Sequence, residues 1–141
     1  MVSLDPDNRD PAYLCGRLLA VLEAVQKAAV PSANTTITDR FFGTASSAPA
    51  SVFGRLIRGS QAHLGKLRRD RRSSYEALQR RLEEILEGLP GTRAFPKILT
   101  LEGQGLFSLG YYHQRAADRA ARIAYRESRK AGESSEITDV E

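Results

Sequence analysis

Apolar residues recur at steps of three and four along most of the chain, and no apolar–polar alternation runs longer than four residues. The first pattern gives a helix one buried face, whereas a strand half-buried in a sheet needs the second. The chain is therefore restricted to helices. Asp10 followed by Pro11 reads as an N-cap and a first-turn proline, the two residues best suited to open a helix. Leu14, Leu18, Val21, Leu22, Val25 and Ala29 follow at helical spacing, and Pro31 stops the run, so a helix is predicted over 11–29. A short helix near 36–44 presents Ile37, Phe41 and Phe42, and the small residues from Gly43 to Pro49 read as a loop. Ser46 or Ser47 is expected to cap a third helix over 49–69, with Val52, Phe53, Leu56, Ile57, Leu64 and Leu67 inward. After a break at 70–74, Tyr75, Leu78, Leu82, Ile85, Leu86 and Leu89 define a fourth helix over 73–88, closed by Gly88, Pro90 and Gly91. Thr100 caps a last helix over 101–130, which Gly132 is expected to end. Gly103, Gly105 and Gly110 each weaken that helix by about 1 kcal/mol against alanine, unless they permit close approach of another helix. The predicted fold is all-α: a bundle of four longer helices and one short one, with no sheet. A chain of 141 residues forms one such domain, 1–141, with flexible ends at 1–9 and 131–141.

Charge placement says more about function than total charge. The formal net charge is +4, from 17 arginines and 4 lysines against 17 acids. Residues 55–72 carry a local excess of six positive charges and residues 115–130 an excess of four, while 133–141 hold four acids and no base. At ~100° per residue, Arg55, Arg58, Lys66 and Arg69 fall within a sector of roughly 80° on the third helix, opposite Leu56, Leu64 and Leu67. Arg72 extends the same basic region. On the last helix Arg115, Arg119, Arg122, Arg126 and Arg129 form a stripe about 21 Å long, at about 1.5 Å per residue. Ala116, Ala120, Ile123 and Ala124 lie opposite. An ordinary solvated face mixes signs, because like charges four residues apart repel. Acid-free stripes point instead to a polyanion, and arginine is well suited to phosphate. The nucleic-acid-binding candidates are thus Arg55, Arg58, Lys66, Arg69, Arg72, Arg115, Arg119, Arg122 and Arg126, making backbone contacts with little sequence preference. Tyr111 leans toward the stripe and is the candidate for stacking on bases; Tyr112 is expected in the core.

Chemistry-bearing patterns are sparse. His63 and His113 stand in no zinc motif, and His113 reads as a hydrogen-bonded core histidine. The single cysteine, Cys15, excludes an internal disulfide and a cysteine-rich metal site, and reads as a small buried hydrophobe. Glu83, Glu84 and Glu87 near Arg80 suggest intrahelical ion pairs. Gly103-Gln104-Gly105 lacks the third glycine and the preceding strand of a phosphate-binding loop. The longest aliphatic run, Leu18 to Leu22, is far short of a membrane span, and no signal peptide opens the chain. A non-enzyme is expected, with no cofactor, no metal and no membrane partner, in the cytoplasm.

Three blocks carry a family resemblance. Residues 11–23, PAYLCGRLLAVLE, are similar to the segment that opens the C-terminal helical part of the large subunit of type I-C CRISPR Cascade. Residues 39–49, DRFFGTASSAP, with Val52 and Phe53, resemble the next block of that region, and residues 105–115, GLFSLGYYHQR, its closing block. The chain begins with its own Met1 and lacks the rest of a large subunit. It therefore resembles the type I-C small subunit, which is made separately from an internal start in the large-subunit reading frame. An excised C-terminal domain of the large subunit would have the same sequence. The resemblance implies a helical subunit present in several copies along a crRNA-guided complex. Its partners would be the large subunit, the backbone subunits, other copies of itself and target DNA, with crRNA as a further candidate. Its implied work is to hold target and displaced strands and stabilise the R-loop. The competing expectation is a purely structural module whose basic faces dock acidic surfaces of neighbouring subunits.

Overall fold

The structure, a computed structural model, describes residues 3–89 and 95–139, with side chains described through Gly132. Among the described residues five α-helices follow in order: α1 (Pro11–Ala29), α2 (Ile37–Ser47), α3 (Phe53–Asp70), α4 (Arg72–Gly88) and α5 (Leu101–Asp139). A 3-10 turn, Pro49–Ser51, joins α2 to α3. No strand occurs among the described residues, so the fold is all-α as predicted. Pro90 and Gly91, expected to help close the fourth helix, lie outside the described residues.

The bundle is organised around α1. Of its 19 residues 14 are buried, which the sequence explains, because apolar residues occupy all sides of this helix. Asp10 Oδ1 accepts from the Ala12 amide at 2.9 Å, and Pro11 opens the first turn, as expected. The other four helices all pack against α1. The tightest of these contacts joins α1 to α5, and glycines on both helices make it possible. A Cβ at Gly16 would strike the Phe107 carbonyl, and one at Gly110 would strike the Tyr13 carbonyl. Gly105 by contrast faces open space, and Gly103 lies over Leu99. Of the three glycines in the last helix, Gly110 therefore serves close packing.

Several element boundaries differ from expectation. The small residues after Gly43 continue α2 to Ser47, because Ala45 is fully buried and the first proline comes only at position 49. Ser46 and Ser47 do not cap α3; both hydroxyls donate back to the Gly43 carbonyl, at 3.0 and 2.9 Å. The cap that does form is at the start of α2, where Thr36 and Asp39 bond each other's backbone amides. Thr100 caps α5 as expected, with the Gly103 amide donating to its hydroxyl at 3.1 Å. Gly132 does not end α5, which continues to Asp139. A solvent-exposed helix can carry one glycine, since the cost is only about 1 kcal/mol. At the other end of the chain the Asp5 amide donates to the Tyr13 hydroxyl at 3.0 Å.

The inward faces of α3 and α4 follow the predicted pattern. Val52, Phe53, Leu56, Leu64 and Leu67 are buried from α3 and its approach, and Leu78, Leu82, Ile85 and Leu89 from α4 and its end. Ile57, Tyr75 and Leu86 pack partly buried against them. On α5 the buried face is Phe107, Tyr111 and Gln114. From Arg119 to Gly132 every residue of α5 is exposed, so the helix leaves the bundle there. The alanine face opposite the arginines, at Ala116, Ala120 and Ala124, is exposed and is no core face.

Candidate nucleic-acid interface

The nine sequence-predicted cations divide by what they touch. Arg119, Arg122 and Arg126 are exposed on the projecting part of α5, and no carboxylate among the described residues lies within ion-pair distance. Arg115, at the base of the same stripe, is held from below. Its Nε lies 3.8 Å from Glu23 Oε1, and its guanidinium lies over the Tyr111 ring, 5.4 Å from the centroid. The α3 group is less uniform. Arg58 and Arg69 are exposed and form no ion pair among the described residues. Arg55 lies over the Phe41 ring at 5.9 Å. Arg72 pairs with Glu76 one turn on, at 3.3 Å. Lys66 Nζ donates to the Ala29 carbonyl at 2.7 Å, and Arg71 reaches the Ala28 carbonyl at 3.4 Å. These two cations satisfy carbonyls at the C-terminal end of α1, where the helix dipole favours positive charge. Lys66 is thus committed to the fold. The α3 and α5 groups are carried by helices that each pack on α1 and share no extended interface with one another.

The tyrosines are exchanged relative to expectation. Tyr111 is 2% exposed, and its hydroxyl donates to Glu23 Oε1 at 2.9 Å. Burial raises its pKa above the ordinary 10.0, and the Glu23 carboxylate adds to the effect. Tyr112 is 58% exposed and packs edge-on against Tyr111, centroids 5.0 Å apart. The close contact at Gly110 fixes the rotation of α5, and that rotation turns Tyr111 toward α1 and Tyr112 outward. Tyr112 is an exposed aromatic ring at the base of the arginine stripe, and Tyr125, also exposed, stands further along it with the Arg129 guanidinium 5.8 Å from its ring centroid.

Beneath the stripe lies a buried polar network that periodicity did not reveal. Arg17, 3% exposed, donates from Nε to Gln114 Oε1 at 2.8 Å and approaches Glu84 at 3.7 Å. Glu84 was expected to pair within its own helix and instead meets α1. Gln114 donates to Asp118 Oδ1 at 2.9 Å, and Arg81 lies 3.4 Å from the same oxygen. Burial raises the Asp118 pKa above 3.8, although Arg81 and Gln114 pull it back. Glu23, 5% exposed, accepts from Tyr111 and from the Thr36 hydroxyl at 3.1 Å, and has Lys27 at 3.8 Å. A signal for both existed in the sequence: Arg17 and Glu23 are the two charged residues within the apolar run 12–25 of α1. Such residues are buried with partners or not at all.

The remaining candidates carry no chemistry of this kind. His113 Nδ1 is 2.9 Å from the Tyr13 hydroxyl, a hydrogen-bonded histidine as expected. Cys15 is fully buried, and desolvation pushes its thiol up to about 12. Among the described residues no group of three histidine, cysteine or acidic side chains is placed to hold a metal ion, and no helix is long and apolar enough to cross a membrane.

Comparison with known families adds to this geometry. The family model described as CRISPR-associated protein (Cas_Csd1) matches residues 1–118. The chain belongs to the Cas_Csd1 family. None of the curated proteins compared matches it. The Cas_Csd1 match takes in the bundle, the Glu23 network and Arg115. It ends at Asp118, one residue before the helix becomes fully exposed.

Proposed function

We propose that this Cas_Csd1 chain is a non-catalytic, nucleic-acid-binding small subunit of a type I-C CRISPR interference complex, stabilising the R-loop through phosphate contacts. The observation that carries the reading is the ridge of Arg119, Arg122 and Arg126 on a helix that projects from the bundle, without carboxylate partners among the described residues. Guanidinium groups in such an array attract a polyanion and read no sequence. R-loop formation exchanges duplexes of similar stability, so a few backbone contacts tip it. Family membership supports a place in a CRISPR complex, and the ridge supplies a way to act there. The partners in that complex would be the large subunit, backbone subunits and other copies of this chain.

A second reading, a purely structural module, is favoured by one observation. Ile98 and Leu101 are 81% and 85% exposed, and Leu109 is half exposed on the same side of α5 as Leu101. Such a face suits a protein neighbour. The triple change Arg119→Glu, Arg122→Glu and Arg126→Glu separates the two. These residues touch no core group, so the helical circular dichroism signal should persist. Under the nucleic-acid reading, DNA affinity and R-loop yield of the assembled complex both fall. Full R-loop yield with the triple variant would sink it.

A further inference from the structure

An open cleft of about 380 Å³ lies between α1, α2 and α5. This is within the ~300–1,000 Å³ typical of small-ligand clefts. Glu23 and Lys27 line it from α1, Thr38 and Phe42 from α2, and Tyr112 and Arg115 from α5. Resting on the nucleic-acid reading above, we propose that this cleft receives one unpaired nucleobase of a single strand whose phosphates follow the arginine ridge.

Three observations lead there. The first is position. Arg115 both lines the cleft and begins the ridge, and Arg119 stands one turn further along the same helix. A strand laid on the ridge therefore reaches the cleft at its base.

The second is the chemistry of the walls. Glu23 is a nearly buried carboxylate, flanked by the Lys27 ammonium and the Arg115 guanidinium at 3.8 Å each. Neither cation is close enough to Glu23 for a full hydrogen bond, so both keep donors to spare. Thr38 Oγ1 is buried beside Tyr111 with no hydrogen bond of good geometry. A free phosphate would meet the carboxylates of Glu23 and Asp39. A cation would meet Lys27 and Arg115. An aliphatic ligand would leave the polar walls unpaired. A neutral planar heterocycle with both donors and acceptors on its edge fits all of them.

The third is Tyr112. Its ring is exposed at the cleft, and its edge-on contact with Tyr111 leaves it braced from one side. A braced, exposed aromatic ring beside a cationic track is what binds single strands through stacking. A duplex keeps its bases stacked inside and cannot offer one to the cleft.

The test uses the full chain and labelled oligonucleotides of equal length: single-stranded DNA, single-stranded RNA and duplex DNA. Tyr112→Ala should weaken binding of at least one single strand about 5-fold or more. Duplex affinity should change less than twofold. Tyr112→Phe should retain single-strand affinity, because stacking does not need the hydroxyl. The unaltered protein should quench a 2-aminopurine base placed at one position of the bound strand, and Tyr112→Ala should abolish the quenching. Which strand responds tells DNA from RNA. Equal loss for single strand and duplex, or no loss for either, would overturn the base cleft. If the Arg119, Arg122 and Arg126 reversal also left every affinity intact, the nucleic-acid reading itself would fall. If the reversal weakens binding and Tyr112→Ala does not, the ridge stands and the cleft has no base in it.

Discussion

At the scale of single residues, Gly110 and Gly16 decide how α5 meets α1. Each faces a backbone carbonyl of the other helix, which cannot move aside as a flexible side chain would. Gly110→Ala should therefore lower the unfolding free energy by roughly 2 kcal/mol or more, read by urea titration. Gly105→Ala is the opposite case. Its Cβ would meet open space, and alanine is the better helix former, so a gain of about 1 kcal/mol is expected. The sequence displays both glycines alike, since only the partner helix distinguishes them. Asp118 gives a pH prediction. Its pKa is raised by burial above 3.8, so within that window the folded chain holds a proton that the unfolded chain has released. Stability referred to an Asp118→Asn variant should be greatest below pH 3.8 and fall as the pH rises through the raised value. A series of unfolding titrations on both proteins measures the difference. Arg17 and Glu23 were visible as charges in an apolar helix. Their partners, Gln114 and Tyr111, lie about ninety positions away in the chain, and local spacing cannot pair them.

At the scale of elements, α1 and the faces of α3 and α4 were legible because a strong cap or a regular apolar stripe specified each. Two elements were not. The end of α2 is hidden because small residues weaken the apolar signal without breaking a helix, and Ala45 is buried all the same. The orientation of the first half of α5 is hidden because its buried face contains Gly110 and Gln114, which no hydrophobic pattern counts. Tyr111 and Tyr112 were exchanged as a result. The second half of α5 invites a direct experiment. No residue from Arg119 to Gly132 is buried, so ending the chain after position 120 should leave bundle stability within about 0.5 kcal/mol. The same truncation should remove most DNA affinity in an anisotropy titration. Lys66→Ala should do the reverse. It loses the contact to the Ala29 carbonyl and should destabilise by about 1 kcal/mol, with DNA affinity nearly unchanged.

At the scale of the whole molecule, the packed bundle carries a projecting helix, and under the proposed function that helix is the part that would meet nucleic acid. Three arginines without carboxylate partners among the described residues, facing three phosphates of a single strand, would give a slope of roughly −2 in log affinity against log salt. The triple reversal to glutamate should flatten that slope, and a salt series on both proteins reads it. The exposed helix also repels itself, because Arg119 with Arg122 and Arg122 with Arg126 are like charges one turn apart. From Arg119 to Gly132 it has no buried residue to offset that repulsion. Backbone hydrogen bonds and continuity with the packed first half of α5 are what hold it helical. A polyanion laid along it screens the repulsion, so occupancy and helix content are thermodynamically linked. Whatever frays the helix must loosen the grip, and whatever is gripped must stiffen the helix by the same free energy.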